Sequence, residues 1–203
     1  MSRVSAFIQS PEKHGAVDVY ADGVYVMTLS EDTVIGAGLK IGSELDGAAL
    51  EAIERARLRT KAYGKAYDLL SYGDMSEKTM RTKLARYDFD SGLIDDVVCK
   101  LTEQGYLDDM RYASALARYL ANSKCYGPRR ISQELYLKGV DRATADLAME
   151  SLDTDFYETV KTHIPRGFDF SDRKAVSRLY GQLVRRGFDY DMINSVIKEP
   201  EDF

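Results

Sequence analysis

The chain has 203 residues, 44% of them apolar and 30% charged, with a formal net charge of −5 at pH 7. These values exclude global disorder and allow a real core, while the negative charge argues against a strong free-standing nucleic-acid binder. No apolar run approaches a membrane span, and the N-terminus lacks a signal-peptide pattern, so a cytoplasmic protein is expected.

Charge is unevenly spread. Residues 1–54 hold three basic residues (Arg3, Lys13, Lys40) and nine acids, leaving 25 of the 28 basic and 24 of the 33 acidic residues for the rest. The first segment also reads differently. Val17–Tyr20 and Val24–Met27 are β-branched and aromatic runs separated by Ala21-Asp22-Gly23, a hairpin signal. Thr33 to Gly38 reads as a short helix or a connector. Gly36, Gly38 and Gly42 match neither a dinucleotide nor a phosphate loop and read as turn residues. The two cysteines, Cys99 and Cys125, have no metal-ligand spacing and are too few for a disulfide framework.

From Asp46 onward the pattern is helical. Asp46 is placed to cap a helix through Ala49, Leu50 and Ile53. Arg59 to Tyr72 keeps helical spacing, with Gly64 dividing it into two helices or bending one. A repeat then emerges. Met80, Leu84, Phe89, Asp90, Ile94, Val98 and Leu101 match, 51 residues later, Ile131, Leu135, Val140, Asp141, Ala145, Met149 and Leu152. A further shift of 48 brings Leu179, Leu183, Phe188, Asp189, Ile193 and Ile197 into register; the series fails only at Pro200, which ends the last helix.

Each copy reads as helix, tight break, helix. Gly139 and Gly187 occupy the break in two copies and Asp88 in the first. The aligned Asp is an N-cap, and the residue before it can staple to the fourth helical residue: Phe89 with Ile94, Val140 with Ala145, Phe188 with Ile193. A further helix precedes each pair. In the second unit it starts near Asp108 and ends at Gly127-Pro128. In the third it starts near Asp153 or Thr154 and stops before Pro165-Arg166-Gly167.

The expected fold is therefore mainly α: three tandem three-helix repeats in an elongated curved array, with a short N-terminal β-hairpin segment. The segments are an acidic hairpin over residues 1–45, a helix and first repeat over 46–105, a second repeat over 106–152 and a third over 153–203.

Gly105-Tyr-Leu-Asp-Asp-Met-Arg-Tyr-Ala113, Tyr126-Gly-Pro-Arg-Arg-Ile-Ser-Gln-Glu-Leu135 and Lys138-Gly-Val140 together span about 35 residues. They resemble the central signature of the RecX family, bacterial regulators of the RecA recombinase, and a weaker likeness covers nearly the whole chain. The resemblance implies three tandem three-helix repeats. It also implies a non-enzymatic regulator, mainly an inhibitor, that lies in the groove of the RecA–DNA filament and modulates its ATPase, strand exchange and the SOS response. One departure is at Leu120, where family members often carry a second basic residue after that matched by Arg118; Arg166, Arg185 and Arg186 are candidates to compensate.

Two basic clusters are the candidate partner or DNA contacts: Arg118, Lys124, Arg129, Arg130 and Lys138, and Arg173, Lys174, Arg178, Arg185 and Arg186. Arg129, Arg130 and Lys138 should lie outside the buried stripe of Ile131 and Leu135. Arg185 and Arg186 also suit a helix C-terminus electrostatically. Arg55, Arg57, Arg59, Lys61 and Lys65 form a third cluster.

No catalytic, metal or cofactor site is expected. Asp108 reads as an N-cap with Asp109 beside it at the positive helix end, and no base or nucleophile accompanies them. His14 and His163 are isolated. Tyr106 and Leu107 read as packing residues between helices. Tyr112 and Tyr119 read as core beside Leu116 and Leu120, with base stacking the alternative for both and for Tyr126. The expected partner of this monomer is the RecA nucleoprotein filament, with weak direct DNA contact and no membrane. The alternatives are a direct DNA-binding helical-repeat protein, which predicts a steep salt slope on bare DNA, and a scaffold for another protein.

Overall fold

The computed structural model describes residues 2–198. At the N-terminus, β1 (Val4–Gln9), β2 (Ala16–Ala21) and β3 (Val24–Ser30) form an antiparallel sheet in the order β1-β2-β3. Asp22 and Gly23, with φ of 50° and 82°, make the two-residue β2–β3 turn. The expected hairpin is formed by β2 and β3, and β1 extends it to a third strand. A bulge between Val4 and Ala6 breaks the alternation by which a strand is read, and β1 becomes a strand by pairing with β2. Val4, Val19 and Leu29 bury one face against Leu39 and Ile53.

Ser30 caps α1 (Glu31–Gly36), and Asp46 caps α2 (Gly47–Ser71) by accepting from the Ala49 N–H at 2.8 Å. Helix α2 runs uninterrupted for 25 residues through Gly64. It is followed by α3 (Glu77–Leu84), a 3₁₀ turn (Ala85–Tyr87), α4 (Ser91–Glu103), α5 (Asp109–Asn122), α6 (Pro128–Leu137), α7 (Arg142–Glu150), α8 (Phe156–Thr162), α9 (Arg173–Arg186) and α10 (Tyr190–Lys198). The reading of Pro200 lies outside the described residues.

The thrice-written break is formed three times. Asp88, Gly139 and Gly187 all take positive φ, at 58°, 85° and 94°. Asp90, Asp141 and Asp189 then cap α4, α7 and α10, accepting from the N–H groups of Leu93, Thr144 and Met192 at 2.9, 3.0 and 2.9 Å. Both members of each staple pair are buried, from Phe89 and Ile94 to Phe188 and Ile193. The third unit starts at Asp155, one residue beyond Thr154, because its carboxylate accepts from the N–H groups of Tyr157 and Glu158.

The chain divides into two compact units: residues up to Tyr72 with Arg81–Lys100, and Gly73–Met80 with Leu101 onward. The second holds two cores. Ala113, Ala117, Leu120, Ile131, Leu135, Val140 and Ala145 form one; Val160, Leu179, Leu183, Phe188 and Ile193 form the other, and Phe156 packs against both.

Inside this second unit, corresponding helices meet end to end. At the start of α3, the Ser76 and Thr79 hydroxyls donate to the Lys138 carbonyl at 2.6 and 2.9 Å, where α6 ends. At the start of α6, the Gly127 N–H donates to the Arg186 carbonyl at 2.8 Å and the Arg129 N–H to the Gly187 carbonyl at 3.1 Å, where α9 ends. At the start of α6 orphan backbone donors thus meet the carbonyls that end α9, whereas at the start of α3 side-chain hydroxyls serve the carbonyl that ends α6.

Candidate partner-binding groove

The junction of α6 with α9 builds a basic concavity in the second unit. The chain leaves α5 at Ser123 and turns through Cys125, whose φ is 51°. The Cys125 carbonyl is hydrogen-bonded to His163 Nε2 at 2.9 Å, and the His163 ring meets Phe188 edge-on. The Arg186 guanidinium donates to the Lys124 carbonyl at 3.3 Å. These contacts hold the α5–α6 turn against the end of α9.

Ser123, Lys124, Tyr126, Arg130, Gln182, Arg185 and Arg186 line the resulting groove of about 740 Å³. Four cations and no carboxylate stand among them, so the groove attracts anions. The Arg130 guanidinium lies 5.7 Å from the Tyr126 ring centroid and pairs with Glu134 at 2.7 Å; Lys124 Nζ lies 5.6 Å from the Tyr119 ring. The α6 N-terminus adds no free donors here. Pro128 has none, and the Gly127 and Arg129 N–H groups are bound to α9.

The two candidate clusters are thereby merged in part. Lys124 and Arg130 come from one and Arg185 and Arg186 from the other. The Arg129 side chain is exposed while its backbone holds α9. Lys174, Arg178, Gln182 and Arg185 are spaced four, four and three residues apart and share one face of α9, so a basic strip runs from the groove toward the helix start. Arg173, Arg118 and Lys138 are exposed but do not line the groove, Lys138 lying at the far end of α6. Leu120, at the departure from the basic pattern, is in the core of the second repeat.

In the first unit, the α2 cations are partly committed: Arg55 pairs with Glu51, Arg57 with Glu54 and Lys65 with Asp68, and Arg59 lies over Tyr63. Asp108 caps α5 through the Arg111 N–H at 2.8 Å, as its position suggested. Asp109 does more: its carboxylate accepts from the Glu77 N–H at 2.8 Å and so caps α3 across 32 residues of sequence. Tyr112 packs against the second-repeat core, and burial, aided by the charges of Asp109 and Asp74, pushes its phenol pKa up. Leu107 is buried, but Tyr119 and Tyr106 are about half exposed and are not core residues. Sequence reasoning missed Gln182 and the Cys125–His163 contact, and no local signal marked either.

Among the described residues, no group of three or more His, Cys, Asp or Glu side chains could hold a metal ion. No described helix is long and apolar enough to cross a membrane.

Comparison with known proteins bears on what this groove belongs to. Family models described as the first and second three-helix domains of RecX match residues 62–106 and 108–149. The regulatory protein RecX of Bacillus velezensis is 30% identical over 190 residues, covering 91% of this chain and 72% of its own. That of Clostridioides difficile is 28% identical over 208 residues, covering 100% and 98%. A crystal structure of a regulatory protein RecX superposes with a TM-score of 0.84 at 26% identity, over 98% of this chain and all of that one. That of RecX from Lactobacillus salivarius gives 0.62 at 25% identity, over 73% and 99%. The matched residues include the capped breaks at Asp90 and Asp141, and a relative 30% identical matches 91% of the chain, so the chain belongs to the RecX family of regulatory proteins.

Proposed function

We propose that this chain regulates the RecA recombinase, mainly as an inhibitor, by seating its basic groove and the adjoining strip of α9 against the RecA–DNA filament. It acts by binding in the cytoplasm rather than by turnover. Successive repeats bridge RecA subunits and obstruct the space that a second DNA duplex needs. The observation that carries this reading is the meeting of Lys124, Arg130, Arg185 and Arg186 in one groove without a lining carboxylate. Such a concentration of positive charge suits filament DNA phosphates or an acidic RecA surface. Family membership supplies the regulator.

The test is single-stranded-DNA-dependent ATP hydrolysis by the cognate RecA, titrated with wild type and with the Lys124→Glu/Arg185→Glu double variant. Both side chains are exposed, so the fold should tolerate the change. Inhibition by the wild type near stoichiometric ratio, and its loss in the variant, is expected. Equal inhibition by both proteins would exclude the groove. No effect of the wild type would exclude RecA as the target.

A further inference from the structure

The basic cluster in the middle of α2 takes no part in the groove. Two of its members, Arg57 and Lys61, stand one helical turn apart and line a cavity of about 360 Å³ together with side chains of β3 and α1. The β1–β2 loop adds Lys13 to the same cavity, one of three basic residues in the acidic first 54. All the lining residues precede residue 62, where the matched three-helix domains begin.

Hydroxyls supply much of the wall. Ser30 Oγ accepts from the Thr33 N–H at 3.2 Å and lies 2.7 Å from Thr33 Oγ1. Each hydroxyl carries one proton, and only one of the two fits between these oxygens. The other has no acceptor among the described residues, although Thr33 is only 2% exposed. A buried donor left without an acceptor is costly, so this wall is built to receive one. The Thr60 hydroxyl, partly buried in the same lining, also has no partner among the described residues.

The cations are not neutralised from within. Lys13 and Lys61 are exposed and have no ion-pair partner among the described residues. Glu54, the one carboxylate in the lining, pairs with Arg57 at 3.5 Å in solvent, where such a pair contributes little. The nearby Asp18 carboxylate is occupied by the Thr28 hydroxyl, which donates to it at 2.6 Å. Leu29 and Leu58 are the only apolar residues of the lining, whereas sites for apolar ligands are predominantly apolar. Cations facing hydroxyl donors select a small, multiply charged oxyanion.

We propose that this cavity binds a small phosphorylated molecule, its phosphoryl oxygens on Lys13, Arg57 and Lys61 and on the free proton of the Ser30–Thr33 pair. Binding ties the β1–β2 loop and α1 to the middle of α2 and stabilises the first compact unit. The site is independent of the regulation of RecA through the groove, which lies in the second unit.

The experiment is isothermal titration calorimetry of the full chain with inorganic phosphate, pyrophosphate and glucose 6-phosphate at constant ionic strength. Wild type is compared with Thr33→Val, with Lys13→Glu/Lys61→Glu and with the groove variant Lys124→Glu/Arg185→Glu. Wild type should bind at least one probe, and Thr33→Val should weaken that binding about tenfold, the loss of one hydrogen bond to a charged group. Lys13 and Lys61 are exposed, so their double variant keeps the fold if Thr33→Val does not. It should bind at least about tenfold more weakly than wild type. The groove variant should bind as wild type does. Pyrophosphate binding tighter than glucose 6-phosphate would support the site with a free phosphoanion as ligand, and the reverse order would support it with a phosphate ester. No binding of any probe, undiminished affinity in the cavity variants, or loss in the groove variant alone would overturn the proposal. Displacement of the bound probe by an oligo-dT strand would overturn it too, by giving the cavity to nucleic-acid phosphates.

Discussion

Gly127 and Gly187 touch backbone to backbone: a β-carbon on Gly127 would stand 2.4 Å from the Gly187 carbonyl carbon, and one on Gly187 2.3 Å from the Arg130 β-carbon. This approach lets the Gly127 and Arg129 N–H groups reach the carbonyls that end α9. Gly127 has φ −77° and ψ 164°, a conformation open to alanine. Gly127→Ala should therefore act by collision alone. An overpacking cost of about 1–3 kcal/mol is expected, seen as a lower urea midpoint with an unchanged m-value. Wild-type stability in this variant would mean that the two helix ends are farther apart than described.

The neighbouring junction is polar. Ser76 is fully buried, accepts from the Thr79 N–H at 3.1 Å and donates to the Lys138 carbonyl, which also receives the Thr79 hydroxyl. Ser76→Ala removes a helix cap and half of the carbonyl's partners, for a cost of about 1–3 kcal/mol. Thr79→Val should cost less, because Ser76 still serves both ends. A double-mutant cycle on the pair should show coupling of about 0.5 kcal/mol or more; strict additivity would argue against a shared acceptor.

These junctions mark where sequence reading stops. The capped breaks at Asp90, Asp141 and Asp189 were legible because each is decided within about seven residues by a left-handed position, a cap and a staple. The candidate cations were legible as clusters. Their merging was not, because Lys124 and Arg185 approach only when α6 docks on α9, and no local pattern encodes that docking. The Asp109 cap on α3 was hidden for the same reason, and β1 because its bulge masks the strand period.

Gly64 gives the opposite case to Gly127. It lies in the interior of α2, is exposed, and a β-carbon there would meet nothing within 4 Å. Helical continuity is then maintained despite the glycine, whose backbone freedom favours the unfolded chain. Gly64→Ala should stabilise the protein by about 0.5–1 kcal/mol, read as a higher melting temperature. A destabilised Gly64→Ala would indicate that α2 needs a bend at this position.

Asp141 links the second repeat's break to pH. The Thr144 hydroxyl, at 2.6 Å, and then the Thr144 N–H donate to its carboxylate, and they hold its pKa below the ordinary value of 3.8. A folded-state pKa below the unfolded one means that the unfolded chain binds the proton first as acidity rises. The stability this carboxylate contributes is thus fully present above about 3.8 and is lost as pH falls through the lower folded-state value. Asparagine at this position still accepts as an N-cap but does not titrate. Asp141→Asn should be less stable than wild type at neutral pH, with the gap closing in acid. Thr144→Val, which removes the largest cause of the shift, should show part of the same change. Urea midpoints of the three proteins across the acidic range test this, and a gap independent of pH would rule the linkage out.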